Sequence, residues 1–117
     1  MIVITVRRDR QAIAEITISG HANAGEYGKD IVCSAVSAIS FGMLNAVHLT
    51  MGIVPDVEQA AQEGGFLRWR VHPLDDQAGQ EKLQLLAESM VISLSAVAEQ
   101  YGQYVTVEDT TQKGGAS

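Results

Sequence analysis

Residues 20–41 read GHANAGEYGKDIVCSAVSAISF, and this stretch decides how the rest of the chain is understood. It begins where an alternating apolar run ends, at Ile18, and crosses a polar segment holding His21, Gly25, Tyr27, Gly28 and Asp30. It then enters a run without Asp, Glu, Lys or Arg from Ile31 to Pro55. Cys33, the single cysteine, lies at the start of that run. Val32, Val36, Ile39, Met43 and Val47 recur at helical spacing, so the run predicts a helix with one apolar stripe. Ala35, Ala38, Gly42 and Ala46 make a second stripe of small residues, which would let another backbone approach. Asp30 stands where an N-cap would, and this puts Cys33 near the third helical position. Gly52 and Pro55 end the helix.

Upstream, Ile2, Ile4 and Val6 alternate with Val3, Thr5 and Arg7, and Ala14, Ile16 and Ile18 alternate with Ile13, Glu15 and Thr17. Period two predicts two strands, joined through Arg8–Gln11 as an antiparallel hairpin. Downstream, Gly64-Gly65 is a turn signal, and the region around Val54–Val57 offers extra strand residues. Phe66–Val71 predicts a strand with Leu67, Trp69 and Val71 inward and Arg68 and Arg70 outward. Asp75 or Asp76 caps a second helix with an inward stripe of Leu83, Leu86, Met90, Leu94 and Val97. Gly102 ends it, and Tyr104–Glu108 is the last strand. The expected fold is α/β of the α+β kind: a two-layer sandwich in ββαβαβ order, its mostly antiparallel sheet packed against two main helices. One domain over residues 1–109 and a polar, glycine-rich tail over 110–117 are expected.

Composition narrows the function. The chain has 117 residues, 46% of them hydrophobic, which suffices for one core. A net charge of −6 and the lack of a basic run argue against direct nucleic-acid binding. The uncharged run is long enough to span a bilayer, but Ser34, Ser37, Ser40, Asn45 and His48 within it favour a buried helix, so no membrane association is expected. One cysteine excludes an internal disulfide, and the N-terminus runs apolar before basic, unlike a secretory signal. A cytoplasmic protein is expected.

A thiol at a helix start is a candidate nucleophile, because free N–H groups and the helix dipole favour the thiolate. The competing reading is an inert buried cysteine. His21 is the histidine that the strand-loop-helix path returns to Cys33. His48 lies about 22 Å along the helix at 1.5 Å per residue, and His72 at a strand end is the weaker alternative. Asp30 caps the helix or orients the imidazole; Ser37 borders the site one turn on or bonds a backbone carbonyl. Scattered His and a lone Cys give no metal-ligand spacing, and Gly25 and Gly28 lack a phosphate-loop element, so no metal or cofactor is expected.

GHA at Gly20–Ala22, G-x-D-I-V-C at Gly28–Cys33 and A-V-S at Ala35–Ser37 together resemble the Prp (YsxB-like) family of ribosomal-processing cysteine proteases. The resemblance implies a cysteine endopeptidase with a His–Cys dyad, in which His21 is the base and Cys33 the nucleophile. It carries Asp30 and Ser37 over as supporting positions. The implied substrate is the N-terminal extension of a large-subunit ribosomal protein, cut near a paired-phenylalanine sequence. The resemblance also implies a homodimer and a flexible loop ahead of the cysteine, here around Ala22, Gly25, Tyr27 and Gly28. The alternative from another class is a non-catalytic dimeric module that binds a ribosomal protein or assembly factor; losing His21 or Cys33 would have favoured it.

Overall fold

A computed structural model describes residues 1–20, 29–60 and 65–110, residues 29 and 30 in backbone only. Strand β1 (Ile2–Asp9) and strand β2 (Ala12–Ser19) form the expected hairpin. The four-residue loop expected over Arg8–Gln11 shrinks to two residues, because Arg10 and Gln11 both take positive φ, 54° and 79°. Two such residues give the primed turn whose twist matches the flanking strands. The pairing shifts between Arg7 and Arg8, so the strand end bends there.

Helix α1 covers Lys29–Met51. It begins one residue before Asp30, so Asp30 lies inside the first turn instead of capping it, and Cys33 is the fifth helical residue instead of the third. Gly52 closes the helix at φ +69°, its N–H donating to His48 O at 3.0 Å. Strand β3 (Asp56–Ala60) follows, then β4 (Phe66–Arg70), helix α2 (Gln77–Gln100) and β5 (Val105–Thr110). The order is therefore ββαββαβ, one short strand more than the six-element expectation, and β3 overlaps the Val54–Val57 region. Asp76 caps α2, its carboxylate accepting from the Gly79 N–H at 2.7 Å. The last strand reaches Thr110, whose hydroxyl donates to Val6 O. Thr110, expected as the first tail residue, is thus in the strand, and residues 111–117 lie outside the described residues.

The five strands lie in the order β3-β4-β2-β1-β5. All neighbours are antiparallel except β1 and β5, which are parallel. The sheet is thus mostly antiparallel, as expected, and both helices pack on its apolar face. From the sheet Ile4, Val6, Ile16, Trp69 and Val105 are buried; from α1 Val32, Val36, Leu44 and Val47; from α2 Leu83, Ala87, Met90 and Leu94. Each fully buried aliphatic side chain stabilises by about 1.5–3 kcal/mol relative to exposure. By length and composition α1 is apolar enough to cross a membrane, yet its inner stripe is part of this core. The small-residue stripe meets no second backbone within the described residues at Gly42, where an added Cβ would touch nothing within 4 Å.

Candidate active site

Cys33 is half-buried and packs against the core. It lies on the wall of a cavity of about 270 Å³ between α1 and one end of the sheet. Helical spacing builds the upper wall: Cys33, Val36, Ser37, Ser40 and Phe41 recur every three or four residues and so share one face. The lower wall is the sheet end where β1 and β4 begin and β2 and β3 finish. It is formed by Ile2, Ile18, Gly20, Gln59, Ala60, Phe66 and Leu67. Helical side chains lean toward the N-terminus. From the fifth position a sulfur therefore still reaches back over the first turn, where backbone N–H groups have no intrahelical acceptor.

Gly20 has two reasons to be glycine. Its φ is +93°, and a Cβ there would collide with the Met1 carbonyl oxygen. Its N–H donates to Gly65 O at 3.1 Å, which ties the end of β2 to the start of β4 directly under the cavity. The chain therefore passes into residue 21 from the floor of the cavity whose opposite wall carries Cys33. His21, Ala22, Gly25, Tyr27 and Gly28 lie outside the described residues, and so does the side chain of Asp30.

The other two histidines are elsewhere. His48, in the last turn of α1, donates from Nδ1 to Ile53 O at 3.2 Å. His72 follows the far end of β4 and donates from Nε2 to Asp56 Oδ2 at 2.6 Å. Six residues of extended chain, about 20 Å at 3.3 Å each, separate it from Phe66 on the cavity wall. Ser37 borders the cavity and is exposed. Ser40, one turn on, is buried and donates to Val36 O at 2.7 Å, the carbonyl-bonded state that was one reading of Ser37. Among the described residues no group of three His, Cys, Asp or Glu could hold a metal ion.

Sequence reasoning found the α1 wall as far as Ser37 and missed the opposite one. Gln59 and Ala60 are in a five-residue strand with two acidic residues, too short for an alternation to stand out. Ile2, Phe66 and Leu67 read as ordinary strand residues, and only the strand order brings their ends beneath Cys33.

A trough at the end of a sheet, mostly apolar and open to solvent, suits an extended peptide, and the thiol on its wall is the kind of group that cysteine peptidases use as nucleophile. Comparison with known proteins agrees. The sequence model of the cysteine protease Prp family matches residues 1–106. The ribosomal processing cysteine protease Prp of Bacillus subtilis is 35% identical over 102 residues, covering 86% of this chain and 90% of its own length. A Streptococcus mutans crystal structure superposes with a TM-score of 0.85 at 31% identity, covering 96% of each chain. The Prp protease of Staphylococcus aureus, crystallised with a substrate peptide, gives 0.79 at 30% identity over 94% of this chain and all of that one. With a covalently linked product peptide the same protease gives 0.74 over the same share. The chain belongs to the Prp cysteine protease family, and it is an enzyme that hydrolyses peptide bonds, not a non-catalytic binding module.

Proposed function

We propose that this chain is a ribosomal processing protease that removes the N-terminal extension of a large-subunit ribosomal protein, with Cys33 as nucleophile and His21 as general base. The observation that carries the residue assignment is the shared cavity: Gly20, the residue before His21, lines it across from Cys33. His48 and His72 are held by other partners well away from it. The relatives' names support a ribosomal protein as the substrate, and a covalently linked product peptide in the Staphylococcus aureus enzyme supports a covalent route.

In this mechanism His21 takes the Cys33 proton, and the thiolate attacks the scissile carbonyl to form a tetrahedral oxyanion. First-turn N–H groups of α1 stabilise the oxyanion. His21 then protonates the leaving amine, and an acyl-enzyme thioester remains. Water, deprotonated by His21, attacks the thioester and returns the thiol. Ser37 on the cavity rim and Asp30 in the first turn are supporting positions in this proposal.

The working form is proposed to be a cytoplasmic homodimer. Ile31, Phe41 and Leu49 are 56%, 40% and 79% exposed on a helix without charge beyond residue 30, and a second copy would cover such a surface. Light scattering at micromolar concentration should give twice the chain mass; a monomer would reject this.

The assignment is tested on a peptide spanning the extension junction. Cys33→Ala should lower kcat/KM by roughly four orders of magnitude with an unchanged circular dichroism spectrum. His21→Ala should lose activity, and His48→Ala should keep it. Cleavage by Cys33→Ala, or a dead His72→Ala beside a fully active His21→Ala, would overturn the assignment.

A further inference from the structure

The sheet has two edges, and β3 is the one that touches the cavity, through Gln59 and Ala60. The hydrogen-bond phase of β3 follows from its neighbours. Gly20 N–H donates to Gly65 O and Val71 N–H to Ala14 O, both in the register that pairs β2 with β4. In an antiparallel pair the bonded residues alternate. Residues 65, 67, 69 and 71 therefore turn their backbone groups toward β2, and Phe66, Arg68 and Arg70 turn theirs toward β3. Their partners Ala60, Glu58 and Asp56 face β4. Val57 and Gln59 are left with N–H and C=O directed outward from the sheet edge.

From this we infer that the β3 edge is part of the substrate site: the peptide leaves the cleft past Ala60 and continues as an added sixth strand, paired with the backbone of Val57 and Gln59. Such strand addition supplies affinity without reading side chains. The edge is held ready for it. Glu58 accepts from Arg68 at 3.2 Å and from Arg70 at 3.5 Å, which fixes β3 to β4 on the outer face. The distance from Ala60 to Val57 is three residues, about 10 Å of extended chain, so the substrate must reach roughly four residues beyond the cleft. The inference rests on the protease reading above and adds where the flanking substrate residues lie.

Three peptides test it: one spanning the junction with six residues on each side, and two shortened from one end or the other. With wild-type enzyme, shortening one particular end should raise KM and leave kcat nearly unchanged. Val57→Pro removes an outward N–H without touching the bonds to β4, a substitution that edge strands tolerate. It should raise KM for the long peptide roughly fivefold to tenfold, the worth of one hydrogen bond, so that the long peptide loses its advantage over the shortened one. If Val57→Pro does not fold, a scan of N-methylated long peptides against wild-type enzyme gives the same information. Methylation should weaken binding at alternate residues on that end. Equal KM for long and shortened peptides, or an N-methyl scan without alternation, overturns the edge site while leaving the protease assignment intact. Cleavage of none of the peptides by wild-type enzyme would remove both.

Discussion

Gly20 shows how much a single residue settles here. It is the first letter of the GHA motif, and the structure gives the motif a mechanical reason, since no side chain fits against Met1 at φ +93°. Gly20→Ala should cost about 1–3 kcal/mol of stability, the usual range for a residue forced into sparsely populated backbone space. It should also lower activity beyond any unfolding, because Gly20 is on the wall beneath Cys33. Chemical denaturation and peptide cleavage on the same sample separate the two effects; an alanine variant with full activity and stability would refute both. Cys33 poses a different test. Serine at this position is isosteric but has a far less acidic hydroxyl, and a lone histidine activates it poorly. Cys33→Ser should therefore be folded and essentially inactive in the same cleavage measurement.

At the scale of elements, one side chain ties strands β1 and β5 to helix α2. Arg8, at the bulge in β1, donates to Glu88 on α2 at 2.5 and 3.0 Å, to Asp109 on β5 at 2.8 and 2.9 Å, and to Gln11 O at 2.8 Å. Its side chain is 13% exposed. Hydrogen bonds to Glu88 and then Asp109 hold its pKa well above the ordinary arginine value despite partial burial. A raised pKa adds stability that is full below the ordinary arginine value and is lost only as pH rises beyond it, so the cation is constant across the accessible range. Arg8→Ala should lower unfolding free energy by roughly 2 kcal/mol, because two carboxylates lose a charged donor. Unfolding by urea measures it, and an unchanged midpoint would show that water replaces the guanidinium without cost. None of this clamp was legible in the sequence, which showed Arg8 only as part of a hairpin loop. Long alternating or helical patterns were legible: both hairpin strands, both helices and the inward faces of Leu67, Trp69 and Leu94. What failed was short or non-local. Strand β3 has five residues with four of them exposed, so no hydrophobic period marks it. Gln84 holds Ile13 through both its N–H and C=O across 71 positions, a contact that no local pattern carries.

For the whole molecule the charge balance bears on substrate encounter. Fourteen acidic against eight basic side chains leave −6 on this chain, while the proposed substrate, a ribosomal protein, belongs to a class made basic by its need to bind RNA phosphate. Opposite net charges accelerate diffusional encounter, and salt screens this over a Debye length of about 8 Å at physiological ionic strength. Recognition at the cleft has another origin. Ile2, Ile18, Phe41, Phe66 and Leu67 line it, and apolar contact is not weakened by modest salt. The two contributions separate by substrate. Raising sodium chloride from about 50 to 300 mM should slow kcat/KM for the intact basic protein severalfold through association, with kcat unchanged. A short uncharged peptide carrying the same junction should be cleaved at nearly the same rate throughout. Initial rates at subsaturating substrate give both values. Equal salt dependence for the two substrates would mean that the acidic surface has no steering role, and that capture is set wholly by the cleft and the sheet edge beside it.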